Sequence, residues 1–237
     1  MKKNIIFILF IISSFCVFGQ SKIIYINDKY NHYYSFTQEI VKKSKASNLT
    51  NSDKFFHFRI WLFGQAVEVW QNNDSTIDGQ ILNFTKSYNA NNKNAKKKIY
   101  FKISKIEKQK AIEVYNLINQ VDLINMPCSD SIKGWVVDCT DGYGSEIEFS
   151  NIEKYSFKNY YDPCVEDSLI EEVRTLRNFV KNLKSSLNLK TEYNSFTDKL
   201  PRGCYNNGSM AVKCKYSKRK AKRIYREYLE KKRLNTT

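Results

Sequence analysis

The sequence predicts an α+β fold: an antiparallel sheet of about six to seven strands, two main helices packed on one of its faces, and a basic C-terminal helical tail. Three observations lead there. Residues 55–71 alternate in character on either side of Gly64-Gln65, as the two arms of a β-hairpin do. Residues 166–187 place Leu169, Val173, Leu176, Val180, Leu183 and Leu187 at steps of four and three, which is one helical face. Most connections between successive strand-like segments are too short for the crossover that parallel neighbours need.

Taken in order, Lys22 to Asn27 is a strand of isoleucines and tyrosine. Residues 28–54 have no clear period, with a short helix at Phe36 to Ser44. Phe55 to Phe63 is the strongest strand: Phe56, Phe58, Ile60 and Leu62 share one face, and Phe55, His57, Arg59, Trp61 and Phe63 the other. Ala66 to Gln71 returns from it, Asn72-Asn73-Asp74 turns, and Thr76 to Tyr88 is a third strand with a bulge expected at Gly79. Asn89 to Lys98 is a polar loop, and Ile99, Phe101 and Ile103 alternate as a fourth strand. Lys108 to Asn125 changes to helical spacing through Ala111, Val114, Tyr115, Ile118 and Val121, and Pro127 ends it.

Trp135 to Cys139 and Gly144 to Phe149 read as strands around the turn Thr140-Asp141-Gly142, followed by a strand at Lys154 to Tyr160. Asp162-Pro163 is a cap followed by proline in a first turn, leading into the helix of 166–187. Thr191 to Leu200 is polar and unassigned. Residues 204–214 form a cysteine loop, and Ser217 to Leu234 a basic helix capped by Ser217. The domain division is therefore 1–19, 20–190 and 191–237.

The first segment is an export signal. Met1-Lys2-Lys3 is positive, Ile5 to Phe15 is apolar apart from Ser13 and Ser14, and Val17 and Gly19 suit cleavage before Gln20. Cys16 offers an alternative lipid-attachment site, but Phe15 before it is bulky. The apolar run is shorter than the roughly 20 residues of a spanning helix, and no other run is apolar enough, so no transmembrane segment is expected in the mature chain. The expected location is periplasmic or extracellular.

Charge is unevenly placed. The chain carries 39 Lys and Arg against 24 Asp and Glu, a net +15. Residues 86–110 hold nine Lys and one Glu, and residues 213–237 hold eleven basic residues and two Glu. Setting aside the signal, what remains is a mildly acidic body. Such asymmetry speaks of partners and not of fold. Lys213, Lys215, Lys218, Arg219, Lys220, Lys222, Arg223 and Arg226 interleave with Tyr216 and Tyr225, a pattern suited to anionic surfaces. In an exported protein, anionic envelope lipid or polysaccharide is the expected partner ahead of nucleic acid.

Five cysteines remain after processing, and an oxidising compartment pairs them. Cys204 with Cys214 and Cys128 with Cys139 are the favoured bridges, leaving one cysteine as a buried thiol or an intermolecular link.

Catalytic motifs are absent. With only His32 and His57, there is no zinc-binding histidine pair, and no nucleophile elbow, phosphate loop, dinucleotide fingerprint or C-x-x-C occurs. No cofactor or metal is expected. Asp138, Asp141, Glu146 and Glu148 gather around one hairpin; paired carboxylates can carry acid–base chemistry or bind calcium, though the spacing does not fit a helix–loop–helix calcium loop, and His57 is a further candidate for an enzyme site. Asp141 is also an ordinary turn residue, and Glu146 and Glu148 two apart on a strand read as a solvated face.

The aromatic-rich signal ending Gly19-Gln20, the run Asp141-Gly142-x3-Glu146-Ile147-Glu148, and Tyr155-x4-Tyr160-Tyr161-x-Pro163 resemble small exported proteins of Bacteroidota-type bacteria over residues 55–185. The resemblance implies export and carries no activity. The reading from sequence is a non-catalytic exported binding protein with a basic tail for anionic surfaces. Its alternative is an enzyme using the carboxylates near Asp138 to Glu148.

Overall fold

The computed structural model describes residues 22–27, 31–89, 97–135, 144–161, 169–206 and 212–234. The expected signal, Asp138, Asp141, Cys139, Cys164 and the Asp162-Pro163 cap lie outside the described residues. The strands are β1 (Ile23–Ile26), β2 (Phe56–Leu62), β3 (Gln65–Gln71), β4 (Ile77–Tyr88), β5 (Ile99–Lys105), β6 (Gly144–Ser150), β7 (Lys154–Tyr161), β8 (Gly203–Asn206) and β9 (Val212–Lys215). The helices are α1 (Asn31–Ser44), α2 (Lys108–Gln120), α3 (Glu171–Ser186), α4 (Leu189–Asp198) and α5 (Lys218–Leu234).

The β2–β3 hairpin forms because Gly64 supplies a left-handed turn, φ +68°, that other residues adopt at a cost. Around it the strands order as β1-β7-β6-β2-β3-β4-β8-β9, with β5 also on β4. β4 is long enough to serve three partners. Gln65 of β3 pairs with Asn83, β8 takes over at Lys86 to Tyr88, and β5 lies along the opposite edge. Gly79 is not a bulge: the register runs through it opposite Val69, and a Cβ there meets the Glu68 carbonyl oxygen at 2.9 Å and Ile106 at 3.1 Å. Close approach, not irregularity, demands glycine.

The predicted architecture needs correction in four respects. The sheet has nine strands, curls into a half-barrel, and is mixed: β1 lies parallel to β7, Ile23 opposite Lys154. Short connections force antiparallel pairing only between neighbours in sequence, whereas two α-helices and five strands separate β1 from β7. Helices also cover both faces. On the first, Phe56, Phe58, Ile60, Val67, Ile81, Ile147 and Phe149 meet Ala111, Val114 and Ile118 of α2 and Val173, Leu176, Phe179 and Leu183 of α3. On the second, Ile40 and Val41 of α1 pack on Trp61, Ala66, Leu82 and Phe84. β2 is consequently buried on both sides, which is why its two faces are both rich in large residues.

Trp135 itself lies outside any strand, and the rest of the expected Trp135–Cys139 strand falls outside the described residues. Trp135 follows a 3-10 turn at Ser129–Ser131 and packs its ring near Tyr160. α3 begins at Glu171, so Leu169, 93 % exposed, drops out of the apolar stripe. The polar stretch after residue 190 is helix α4, whose Phe196 joins Leu200 and Tyr205 in a small cluster with Tyr100.

Candidate functional site

Cross-strand register brings the most polar residues of the core together on the second face. Arg59 of β2 stands opposite Glu68 on β3 and Glu148 on β6. Its Nε and Nη2 donate to Glu68 Oε2 at 3.0 and 2.6 Å, and Nη1 donates to Glu148 Oε1 at 3.2 Å. Nη2 also donates to the Ser47 carbonyl at 2.6 Å. Glu148 further accepts from Trp61 Nε1 at 2.5 Å and from the Tyr155 hydroxyl at 2.9 Å. Burial alone raises a carboxyl's pKa, but Arg59 and His57 outweigh it and hold Glu68 at about 2.

His57 is pinned through both ring nitrogens. Nε2 lies 2.8 Å from Glu68 Oε1 and Nδ1 lies 2.8 Å from Ser52 Oγ. Because the ionised carboxylate only accepts, Nε2 carries the proton. The chain Ser52–His57–Glu68 has the connectivity of a nucleophile–base–acid relay. However, neither of the two described cavities is lined by Ser52, His57, Arg59, Glu68, Glu146 or Glu148. Both Glu148 oxygens are occupied by partners.

Of the residues picked from sequence, the structure thus joins His57 to Glu148 through Arg59 and Glu68. The solvated-face reading of Glu146 and Glu148 is overturned: Glu148 is fully buried and Glu146 half-buried. Burial, with Glu148 adding repulsion, pushes the Glu146 carboxyl up to about 7, while Asn159 Nδ2 donates to it at 3.1 Å. β6 sits between β2 and β7, and Gln38 of α1 reaches Glu148 across its face, so this face is covered and not solvated. Arg59 and Glu68, which sequence reasoning passed over, had a signal: one opposite charge on each arm of an apolar hairpin.

The expected Cys128–Cys139 bridge is not formed. Cys128 is a free buried thiol that donates to the Asn159 carbonyl at 3.3 Å, and burial pushes its pKa up. Cys204 and Cys214 are bonded across β8 and β9, their Cα atoms 4.0 Å apart and directly paired in register.

Two surfaces remain. One is α5, started by Ser217, whose Oγ accepts from Lys220 N at 3.3 Å. Lys218, Arg219, Lys220, Lys222, Arg223 and Arg226 are exposed along it, and Lys213 and Lys215 precede it on β9. Lys215 is turned back, donating to the carbonyls of Asp198 and Leu200. α5 shares no extensive contact with any other described element.

The other is a cleft of about 710 Å³ at the end of the β2–β3 hairpin. The hairpin contributes Leu62, Phe63 and Gln65, and helices α3 and α4 form the sides. The ring of Tyr193, from α4, closes against Gly64, where a Cβ meets it at 2.7 Å. Beyond Tyr193 a second cavity of about 430 Å³ runs under the β8–β9 hairpin.

No helix among the described residues is long and apolar enough to cross a membrane. Among them no group of three or more His, Cys, Asp or Glu is placed to hold a metal. No family model, no curated protein and no solved structure matches the chain, and the resemblance to exported Bacteroidota-type proteins stays an expectation from sequence.

Proposed function

We propose that the protein is an exported, non-catalytic binding protein whose helix α5 docks on anionic surfaces, envelope lipid first. The observation that carries this reading is the exposed apolar strip of α5. Tyr225 and Tyr228 are 63 % and 58 % exposed and Leu229 adjoins them, although all three fall on one helical face between cations. A helix of this kind buries such a strip at a lipid interface and sets its Lys and Arg against the headgroups.

Two energetic points support it. Lys218, Arg219 and Lys220 crowd the helix N-terminus with no acidic residue in the first turn, the unfavourable end of the dipole for cations. A helix whose apolar strip packs on nothing also lacks the tertiary packing from which most helical stability comes. Anionic headgroups relieve the first problem and burial of the tyrosines the second. The Cys204–Cys214 disulfide suits the oxidising periplasmic or extracellular setting that export requires.

Co-sedimentation with anionic and neutral lipid vesicles tests the proposal. Lys218→Gln, Lys222→Gln and Arg226→Gln together should weaken binding to anionic vesicles on the order of a hundredfold, each cation near such a surface being worth about 1 kcal/mol. Binding should fade as salt rises, because the Debye length drops from about 10 Å at 0.1 M to about 3 Å at 1 M. Equal binding to neutral vesicles, or an unchanged triple variant, refutes it.

A further inference from the structure

We propose that the cleft beside Tyr193 is a binding site for a single-chain anionic amphiphile, an acyl chain ending in a carboxylate. This goes beyond the docking of α5 and does not depend on it. The wall is apolar for a reason visible in its hydrogen bonds. Trp135 Nε1 donates to the Tyr161 carbonyl at 2.7 Å, and the Tyr160 hydroxyl donates to the Met126 carbonyl at 3.0 Å. Gln65 Nε2 is likewise spent on Asn83 Oδ1 and the Leu189 carbonyl. The rings therefore turn hydrocarbon faces to the cleft, beside Leu176 and Val180 of α3.

Among the described residues the charged lining is all of one sign. Lys181 and Lys184 stand three apart on α3, one turn beyond Arg177, and Lys190 lines the cleft from α4. No acidic side chain is among the described lining residues. Like charges at such spacing weaken a helix, and an anionic head among them reverses that effect. A volume of about 710 Å³ is of the size that takes a small organic ligand and buries most of it. The apolar wall selects the chain, and the cations select the head.

Isothermal titration of the full chain with octanoate, decanoate and dodecanoate tests this, with dodecanol and dodecyltrimethylammonium as neutral and cationic counterparts. One-to-one binding is expected, tightening roughly fourfold per added methylene and at least tenfold stronger for dodecanoate than for dodecanol. Lys181→Glu with Lys184→Glu should lose dodecanoate binding by more than tenfold. Val180→Trp should block the chain while leaving the thermal unfolding transition in place. The same cleft variants should bind anionic vesicles as the wild type does, and the α5 triple variant should keep dodecanoate, so failure of one reading is distinguishable from failure of the other. No dependence on chain length, equal binding of dodecanol, or wild-type affinity in the double variant overturns the proposal.

Discussion

Glu68 and Glu146 sit on strands either side of β2, on one face of the sheet, and their surroundings drive their carboxyls in opposite directions. Glu68, held at about 2 by Arg59 and His57, adds stability above its ordinary value of 4.5 that is lost as pH falls toward 2. Glu146, raised to about 7 by burial, adds stability below 4.5 that is lost as pH rises through 7. Denaturant unfolding should therefore show greatest stability near pH 4.5 and a decline up to pH 7. Glu146→Gln should flatten that decline and stabilise the protein at pH 8 by about 2–3 kcal/mol; an unchanged slope refutes the assignment. Removing Glu148 is different in kind. Glu148→Ala leaves Arg59, Trp61 and Tyr155 with unpaired buried groups and should cost about 3–5 kcal/mol, read as a lowered unfolding midpoint. The identity of these residues was plain in sequence, but their pairing was not. Arg59 meets Glu148 across strands separated by β3, β4, β5 and α2, a register that no local pattern encodes.

At the scale of elements, the alternating arms of β2 and β3 and the stripes of α2 and α3 were legible because one apolar face repeats at a fixed period. α4 was not, since most of its surface is polar and only Leu189 and Phe196 are buried. Nor was the parallel placement of β1, whose Ile23, Ile24 and Tyr25 are exposed and give no facing pattern. The β8–β9 hairpin extends the sheet through β4, so its disulfide steadies that edge of the sheet and the approach to α5. Cys204→Ser with Cys214→Ser should lower the local stability of this hairpin by about 2–3 kcal/mol, the value expected for so short a loop. Amides of β8 should then exchange faster while those of β2 and β3 keep their protection. Uniform loss of protection contradicts this division.

The whole molecule joins a curled sheet buried on both faces to a helix that leaves its own apolar strip uncovered. Composition announced that asymmetry, an acidic body with basic appendages, but not the cleft, because Arg177, Lys181 and Lys184 line it only once α3 lies across the end of the hairpin. If α5 carries the affinity for anionic surfaces while the sheet and its helices remain as they are, amide hydrogen exchange on the full chain, with and without anionic vesicles, should show new protection confined to residues 218–234. Exchange in β2, β3, β6 and α3 should be unaltered. Protection spread over the body, or none in residues 218–234 under conditions where the protein sediments with the vesicles, contradicts this role for α5.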